Sequence, residues 1–275
     1  MSNFVELDEF KQQVADMYSQ RSKYDEGNFH PRLAHRLIEH AKICRGQKIL
    51  DIATGTGLVA IEAAQLVGSE GWVVGVDIST GLLKLAQRKI LAANLSNIEL
   101  VVADAEDLDF PAASFDRVLC CSALPYMTNL PADLRLWHGF LKPDGLIGLC
   151  AFAETAFITG VVLKRVALRY GVSLLFSDLT GTEEKCHTLL REAGFEDVEI
   201  KTEQFGSYIS LSETKRTWEH SLKHPLCHPL KQLSSEQLEQ AKAEYFAELE
   251  ALVTAQGIWN DTSTFFAFGR KEAAS

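Results

Sequence analysis

The sequence lacks the features that would place it in a membrane or on nucleic acid. No run of about 18 apolar residues exists, which excludes an ordinary transmembrane helix, and the first ten residues hold no apolar segment of the signal-peptide kind. Lys and Arg number 27 against 37 Asp and Glu, so the formal net charge is -10. An excess of basic residues is what neutralises phosphates, so this balance argues against a nucleic-acid partner.

The six cysteines also lack a C-x-x-C pair, and most lie in apolar runs where cysteine behaves as a small hydrophobic residue. We therefore expect reduced cysteines and a cytoplasmic location. The 275 residues are 47% hydrophobic and 23% charged, and they contain no internal repeat, low-complexity tract or linker. That composition is typical of a globular protein, and we expect a single domain over residues 1–275.

Short apolar segments alternate with helical patterns in the middle of the chain. The segments rich in β-branched residues are predicted to be buried strands: Lys48–Ala53, Trp72–Asp77, Ile98–Asp104, Phe115–Ala123 and Gly145–Phe152. The segments between them with apolar residues at helical spacing are Gly57–Val67, a helix capped by Ser79 that ends near Asn94, and Pro131–Leu141. This alternation predicts a doubly wound α/β sheet.

Two insertions interrupt the pattern after Phe152. Helices are predicted at Thr155–Tyr170, at Thr182–Ala193 and after a capping box at Ser234 and Gln237. Two further strands are predicted at Val198–Phe205 and Thr262–Arg270. We expect residues 155–180 and 211–257 to be helical lids over the carboxyl ends of the strands. Their apolar side chains, such as Phe176 and Trp218, would then determine which ligand is bound, unless they form the lids' own core.

Polar residues and glycines follow the predicted strands where an open α/β sheet binds its ligand. The first strand leads into the sequence Asp-Ile-Ala-Thr-Gly-Thr-Gly of residues 51–57, and the next two end in Asp77 and Asp104. The glycines with Asp77 also satisfy the dinucleotide-binding pattern. However, Asp51 would repel a cofactor diphosphate, Asp104 suits an adenine amino group, and a phosphate-free cationic cofactor suits this acidic rim better.

As a set, the segments KILDIATGTG, VVGVDIS, ADAEDLDFPAASFD and LKPDGLIGL, over roughly residues 45–152, resemble class I S-adenosylmethionine-dependent methyltransferases. They are most similar to the small-molecule branch that includes the ubiquinone/menaquinone-biosynthesis enzymes. The resemblance implies a Rossmann-like α/β sheet in the order 3-2-1-4-5-7-6 with an antiparallel last strand, which Thr262–Arg270 fits. Ala53 stands where the commoner pattern has glycine, and we expect only a slightly tighter turn.

The resemblance also implies a cofactor, S-adenosyl-L-methionine, with S-adenosyl-L-homocysteine as product, and roles for individual residues. Asp51 would orient the methionyl amino group and Asp77 the ribose hydroxyls, although Asp51 could instead cap the turn that follows it and Asp77 the helix that follows it. The other residues expected to contact the cofactor are Ala53, Thr54, Gly55 and Gly57 around the methionyl part, Ile78, Asp104 and Ala105 around the adenine, and Ser122 beside the methionine.

Similar methyltransferases cover the cofactor with N-terminal helices, for which residues 1–45 are the candidates. Tyr18, Tyr24 and His30 would contact the methionyl carboxylate and sulfonium, or else they are packing residues with His30 at a helix start. Pro31 can occupy the first turn of that helix. His220, His224, Cys227 and His228 resemble a metal cluster, but Pro225 and Pro229 break the helix that would align them, so we expect no metal.

These observations predict methyl transfer to the O, N or C atom of a small, partly apolar metabolite by in-line displacement. A quinone, phenol, indole or other natural product fits this class, with the protein a monomer or homodimer. The candidates for a general base are His30 and Tyr126. Residues 122–126 read Ser-Ala-Leu-Pro-Tyr, unlike the Asn-Pro-Pro-Tyr motif of DNA-amine methyltransferases. A catalytically silent cofactor-binding partner protein and an NAD(P)-dependent oxidoreductase stay open as alternatives.

Overall fold

The fold was analysed in a computed structural model, which describes residues 7–21 and 24–273. The chain divides into two compact units. The first comprises Met1–Ala151, Glu183–Lys201 and Phe265–Ser275, and the second comprises Phe152–Thr182 and Thr202–Thr264. Both insertions predicted from the sequence therefore fall within the second unit.

A seven-stranded sheet has the strand order β3-β2-β1-β4-β5-β9-β6. In chain order the strands are β1 (Lys48–Ile52), β2 (Trp72–Asp77), β3 (Ile98–Val102), β4 (Phe115–Cys121), β5 (Leu141–Phe152), β6 (Glu196–Gln204), β7 (Ser207–Ile209), β8 (Ile258–Asn260) and β9 (Ser263–Arg270). The predicted order is confirmed, with β9 as the seventh strand and antiparallel pairing at that end of the sheet.

Strands β1 to β5 pair in parallel, as their apolar sequences predict. Asp51 on β1 lies opposite Gly75 on β2 and Leu119 on β4, and Cys121 on β4 lies opposite Cys150 on β5. Because neighbouring parallel strands run in the same direction, their carboxyl ends lie at one edge of the sheet. Side chains that follow β1, β2, β3 and β4 are therefore brought together there.

The α-helices of the described residues are α1 (Glu9–Ser19), α2 (Phe29–Ala41), α3 (Leu58–Val67), α4 (Thr80–Ala92), α5 (Leu130–Phe140), α6 (Ile158–Arg169), α7 (Glu183–Glu192), α8 (Leu211–Ser221) and α9 (Ser235–Ala251). Ser79 caps α4 as predicted, because its hydroxyl accepts the Leu82 N–H. Pro31 lies in the first turn of α2, whose N-cap is Asn28 and not His30.

The core of the first unit is formed by the apolar faces of its helices and both faces of its parallel strands. Leu33, Leu37, Ile49, Leu119 and Trp137 are fully buried. The indole N–H of Trp137 donates to the Ala105 carbonyl over 2.9 Å, which pairs the polar atom of a buried aromatic ring. Helix α5 is thereby fixed against the segment that follows β3.

The second unit has its own hydrophobic core. Trp218 of α8 is 2% exposed and packs with Val162, Val166, Tyr245 and Leu249. Phe176 is partly buried against this core. Trp218 therefore forms part of the insertions' own core, which was the alternative stated in the sequence analysis. The broader prediction, that the insertions determine the acceptor, stays a prediction.

A two-stranded ribbon in the second unit was not predicted from the sequence. In it β7 and β8 pair antiparallel, with Tyr208 opposite Trp259. These strands are three residues long, too short for an alternating pattern to stand out. The capping box of α9 at Ser234 and Gln237 is present as predicted.

Helix α8 ends at Ser221, before a 3-10 helix over Pro225–Gln232. The histidines of this region have local partners: His220 Nδ1 lies 3.0 Å from the Arg216 carbonyl, and His224 accepts the Leu226 N–H. Across the described ranges, no helix is both long enough and apolar enough to cross a membrane.

Candidate functional site

Two adjoining cavities lie at the carboxyl ends of β1, β2 and β4, and all of their lining residues belong to the first unit. The empty space at the larger cavity is about 740 Å³ and at the smaller one about 370 Å³, both values including space that is open to solvent. Both are lined by Tyr24, Ala53, Gly55, Cys121 and Ser122. The two cavities therefore form one elongated site with its junction at the glycine turn.

The predicted residues divide between the cavities in the order expected for an extended ligand. The larger cavity is also lined by Tyr18, Asp77, Ile78, Asp104, Ala105 and Tyr126. The smaller cavity is also lined by His30, Asp51 and Thr54. Gly57 is the exception among the predicted residues, because it is absent from the described lining of both cavities.

The turn after β1 has a left-handed backbone at three positions. Ala53 has a φ of 52°, Gly55 a φ of 57° and Gly57 a φ of 78°. Glycine adopts this conformation freely, whereas a side chain is strained there. The structure therefore gives a reason for glycine at position 53 in similar sequences, and Ala53 carries the strain. Gly57 caps α3, and a Cβ there would lie 3.2 Å from Ile61 and 3.3 Å from Ala86, so a side chain would be crowded at this position.

Asp51 is a buried carboxylate, 1% exposed, in the wall of the smaller cavity. The Thr54 hydroxyl donates to its Oδ2 over 2.5 Å. Burial raises the pKa of Asp51 to about 7, although the hydrogen bonds from Thr54 and the Ala60 N–H oppose that rise. A ligand ammonium would stabilise the charged form, so this position suits a cationic group.

Asp77 links the turn after β1 to the residues that follow β2. Its Oδ2 accepts the Gly55 N–H over 2.8 Å, and its Oδ1 accepts the Ser79 N–H over 2.7 Å. Burial raises the pKa of Asp77 to about 6 despite these two bonds. Asp77 also lines the larger cavity. It therefore holds the turn after β1, while the helix that follows it, which Asp77 was considered to cap, is capped by Ser79. Asp77 is also positioned to accept hydrogen bonds from a ligand.

Asp104, at the far end of the larger cavity, is only 8% exposed. Its Oδ1 accepts the Glu106 N–H over 3.0 Å, and its Oδ2 lies 2.6 Å from Lys11 Nζ. Ile78 and Ala105 line the same cavity and offer apolar contact. A flat base with an amino group at its edge matches this combination.

Aromatic residues of the N-terminal segment lie over the junction. The Tyr18 hydroxyl lies 2.8 Å from that of Tyr126, and the Tyr24 ring stacks on His30 with 4.4 Å between centroids. Burial raises the pKa values of Tyr18, Tyr24 and Tyr126 and lowers that of His30. At neutral pH the tyrosines thus keep their protons, while the imidazole is neutral and able to accept one.

Ser122 follows β4 with a φ of 61° and lines both cavities. Its Oγ lies 3.7 Å from Cys121 Sγ and 3.9 Å from Cys150 Sγ. Because sulfur is a weak hydrogen-bonding partner, the hydroxyl keeps its capacity for a ligand. The role of Ser122 beside the ligand stays a prediction.

Sequence analysis did not predict Lys11 and Glu106, which line the larger cavity, or Asp25, which lies next to the glycine turn. Lys11 on α1 lines the larger cavity and pairs with Asp104. Asp25 accepts the Thr56 hydroxyl over 2.5 Å and pairs with Lys89 of α4 over 2.8 Å, which holds the Tyr24 loop against the glycine turn. Each partner lies tens of positions away in the chain, so no local pattern signalled either contact.

Taken together, the donors and acceptors of the site select for one kind of ligand. The buried carboxylates of Asp51 and Asp77 can accept hydrogen bonds from hydroxyl and ammonium groups of a ligand, whereas they would repel an anionic diphosphate. Gly55 leaves the space of a side chain free where the cavities join. The residues therefore fit a phosphate-free nucleoside that carries an amino acid, as S-adenosylmethionine does.

Comparison with known proteins agrees with this assignment. Residues 49–145 match the model of a methyltransferase domain. The ubiquinone/menaquinone biosynthesis C-methyltransferase UbiE of Coxiella burnetii is 35% identical over 159 residues, which are 57% of this chain and 62% of that protein. The aklanonic acid methyltransferase DauC of a Streptomyces species is 33% identical over 55% of this chain and 69% of its own length. The match thus spans under two thirds of UbiE.

Solved structures share the fold. A phosphoethanolamine N-methyltransferase 2 of Haemonchus contortus, in complex with phosphomonomethylethanolamine and S-adenosylhomocysteine, superposes with a TM-score of 0.61 at 18% identity, over 97% of this chain and 61% of that one. The YcgJ protein of Bacillus subtilis gives a TM-score of 0.60 at 15% identity, over 89% of this chain and 100% of that one. At these identities the likeness extends to the fold alone.

Proposed function

The chain belongs to the class I S-adenosylmethionine-dependent small-molecule methyltransferases, and we propose that its acceptor is a partly apolar metabolite such as a quinone, phenol or indole. The observation that carries the cofactor placement is the double cavity, in which Asp51 and Asp77 line different halves. The acceptor class is carried by the relatives, whose names specify small-molecule methylation. The methyl group would pass to an O, N or C atom by in-line displacement.

In our proposal each part of the cofactor lies in one of the two cavities. In this proposal Asp77 accepts from the ribose hydroxyls, and Ile78, Asp104 and Ala105 contact the adenine in the larger cavity. Asp51 accepts from the methionyl amino group in the smaller cavity, where Ala53, Thr54 and Gly55 surround the methionyl chain. Ser122, at the junction, would lie beside the sulfur. The bound cofactor supplies a methyl group that its sulfonium already activates.

The chain's own task is therefore to align the acceptor and exclude water. Tyr18, Tyr24 and Tyr126 suit this task, since all three line the larger cavity and Tyr24 lines both cavities. Their aromatic edges and faces contact one another, with 6.1 Å between the Tyr18 and Tyr24 centroids and 5.6 Å between those of Tyr18 and Tyr126. A wall of this kind suits a flat, apolar acceptor.

A general base is needed only where the acceptor atom keeps its proton at neutral pH. Of the two candidates, His30 is better suited, because burial lowers its pKa and leaves a neutral imidazole. Tyr126 is paired with Tyr18 and its pKa is raised by burial, so it stays protonated. In the dependence of the methyl-transfer rate on pH, we expect His30→Asn to abolish the fall in rate at low pH, and Tyr126→Phe to retain it.

The acceptor class rests on the relatives and on the sequence. UbiE and DauC carry names that specify small-molecule methylation, and UbiE is named as a C-methyltransferase. Carbon is therefore the acceptor atom that these names favour. The Ser-Ala-Leu-Pro-Tyr sequence at 122–126 and the net charge of -10 both disfavour a nucleic-acid acceptor. Natural-product biosynthesis is the setting that fits.

The proposal is tested by methyl transfer from radiolabelled S-adenosylmethionine to a panel of quinols, phenols and indoles. Mass spectrometry of the labelled product then locates the methyl group. Asp109→Ala, which removes an exposed carboxylate, serves as the matched control and should transfer at the wild-type rate. If S-adenosylhomocysteine binds but no acceptor is methylated, the proposed acceptor class is wrong. That result would favour the alternative of a catalytically silent cofactor-binding protein.

A further inference from the structure

Lys11 occupies a specific position at the end of the larger cavity. Its Nζ lies 2.6 Å from Asp104 Oδ2 and 3.3 Å from Glu106 Oε2, and the three side chains are 10–12% exposed. All three residues line the cavity. Surface ion pairs are usually solvated and weak, whereas this ion pair is mostly withdrawn from solvent and lies in the cavity wall.

The charge of Lys11 is secure at neutral pH. Burial lowers the pKa of its ammonium, but the hydrogen bond and charge of Asp104 and the charge of Glu106 outweigh that effect and raise the pKa. Glu106 is itself held in place, because Thr128 donates its N–H to Oε1 over 2.7 Å and its hydroxyl to Oε2. Lys11 is therefore a fixed cationic donor.

The hydrogen-bonding capacity of this pair exceeds what the protein uses. Among the described residues, the acceptors within reach of the Lys11 ammonium are the carboxylates of Asp104 and Glu106. An ammonium has about three N–H donors, so one is available to a ligand, and each carboxylate oxygen can accept about two hydrogen bonds. A donor and an acceptor thus stand side by side at the cavity wall.

Adenine presents the complementary pair on one edge. Its 6-amino group donates, and a ring nitrogen on either side of that carbon, N1 or N7, accepts. If the amino group faces Asp104, as in the proposed function, an adjacent ring nitrogen faces the ammonium. We propose that Lys11 is a cofactor-binding residue, which donates to the ring nitrogen beside the amino group that Asp104 accepts. This inference rests on the proposed placement of the cofactor.

A purely structural role for Lys11 makes a different prediction. The pair also attaches α1 to the segment after β3, and loss of that attachment would weaken every adenosyl ligand equally. A direct contact with one ring nitrogen would instead be lost only with that nitrogen. The two roles are separated by ligands that differ in single ring atoms.

The experiment measures binding of S-adenosylhomocysteine and its 1-deaza, 3-deaza and 7-deaza analogues by calorimetry. We expect the wild type to bind either the 1-deaza or the 7-deaza analogue about tenfold or more weakly than the parent, the value of a charge-assisted hydrogen bond. The 3-deaza analogue, altered at the opposite edge, should bind like the parent.

The same panel is applied to Lys11→Met, which removes the charge and keeps the length. We expect this variant to bind the parent about tenfold or more weakly and to lose its discrimination against the deaza analogue. Lys11→Arg should keep part of the discrimination. Lys84→Met, which removes an exposed charge from α4, is the matched control and should behave like the wild type.

Two results would overturn the inference. One is a wild type that binds the 1-deaza and 7-deaza analogues as tightly as the parent, a result that needs no variant to fold. The other is a Lys11→Met variant that binds all four ligands more weakly by the same factor, which would leave Lys11 as an attachment point only. A wild type that fails to bind S-adenosylhomocysteine would refute the proposed cofactor placement instead.

Discussion

Asp77 accepts the backbone N–H of Gly55, with 2.8 Å between Asp77 Oδ2 and Gly55 N, although 22 positions separate them in the chain. The end of β2 thereby fixes the glycine turn that follows β1. A carboxylate that must remain in place for the turn is also the one proposed to hold the ribose. Structure and binding are therefore coupled at Asp77, and its variants must be assayed for both.

Asp77→Ala should weaken S-adenosylhomocysteine binding by roughly 1.5–3 kcal/mol, the value of a hydrogen bond to a charged acceptor. The free energy of unfolding should also fall, by roughly 1–3 kcal/mol for each N–H that loses its acceptor, here those of Gly55 and Ser79. Calorimetry and urea denaturation measure the two effects. Asp109→Ala is the exposed control, and an unchanged affinity in Asp77→Ala would refute the ribose role.

Gly55→Val should abolish cofactor binding in a protein that still folds. A Cβ at position 55 meets only ordinary contact with Leu82 Cδ1 at 3.7 Å, but it stands where the two cavities join, and its φ of 57° resists a β-branched residue. Gly57→Ala is the comparison, because its Cβ would crowd Ile61 and Ala86 and lower stability first. Wild-type affinity in a folded Gly55→Val protein would place the ligand elsewhere.

Ala53→Gly should raise the free energy of unfolding by up to about 1 kcal/mol. The φ of 52° at Ala53 lies in the left-handed region, where an L side chain costs roughly 1–2 kcal/mol and glycine costs nothing. The greater conformational entropy of glycine in the unfolded chain offsets part of this gain. The matched control is Ala92→Gly at the exposed end of α4, which should lower stability. A loss of stability in Ala53→Gly would contradict the strain.

The ligand-free protein should lose stability as pH rises from about 4 to about 7. Burial raises the pKa values of Asp51 to about 7 and Asp77 to about 6 from 3.8, so the folded state holds protons that the unfolded state has released. This contribution is complete below about pH 4 and is lost as pH passes through the folded pKa values.

Denaturation with urea at stepped pH values measures the effect. In the wild type the free energy of unfolding should fall between about pH 5 and about pH 7, and Asp51→Asn should flatten this slope. Cofactor affinity should follow the opposite course, because the ionised carboxylates of Asp51 and Asp77 are the stronger acceptors for an ammonium and for hydroxyls. Identical pH slopes for the wild type and Asp51→Asn would contradict the raised pKa of Asp51.

Trp218→Ala should lower the free energy of unfolding by roughly 3–5 kcal/mol, the usual cost of removing a buried aromatic side chain. Trp218 is 2% exposed in the core of the second unit, where its ring lies 5.3 Å from that of Tyr245. Trp259→Ala is the control, because 43% of Trp259 is exposed. A stable Trp218→Ala variant with altered acceptor preference would instead support the role expected from the sequence.

The sequence by itself determined the elements and the residues at their ends. Strands β1 to β5 and helices α3 to α5 were predicted because apolar periodicity is a local property. Their predicted boundaries coincide with those observed or differ by one or two residues, except that β5 starts four residues earlier. Because parallel strands end at one edge, the places of Asp51, Asp77 and Asp104 also followed from the sequence.

Tertiary structure alone decided the contacts between distant segments. Lys11 meets Asp104 across 93 positions, and Tyr18 meets Tyr126 across 108. It also decided that Trp218 packs within the second unit and that Ala53 is left-handed. Hydrophobic patterns report which face of an element is buried, but the partner that covers the face depends on how the whole chain packs, and no local pattern encodes that choice.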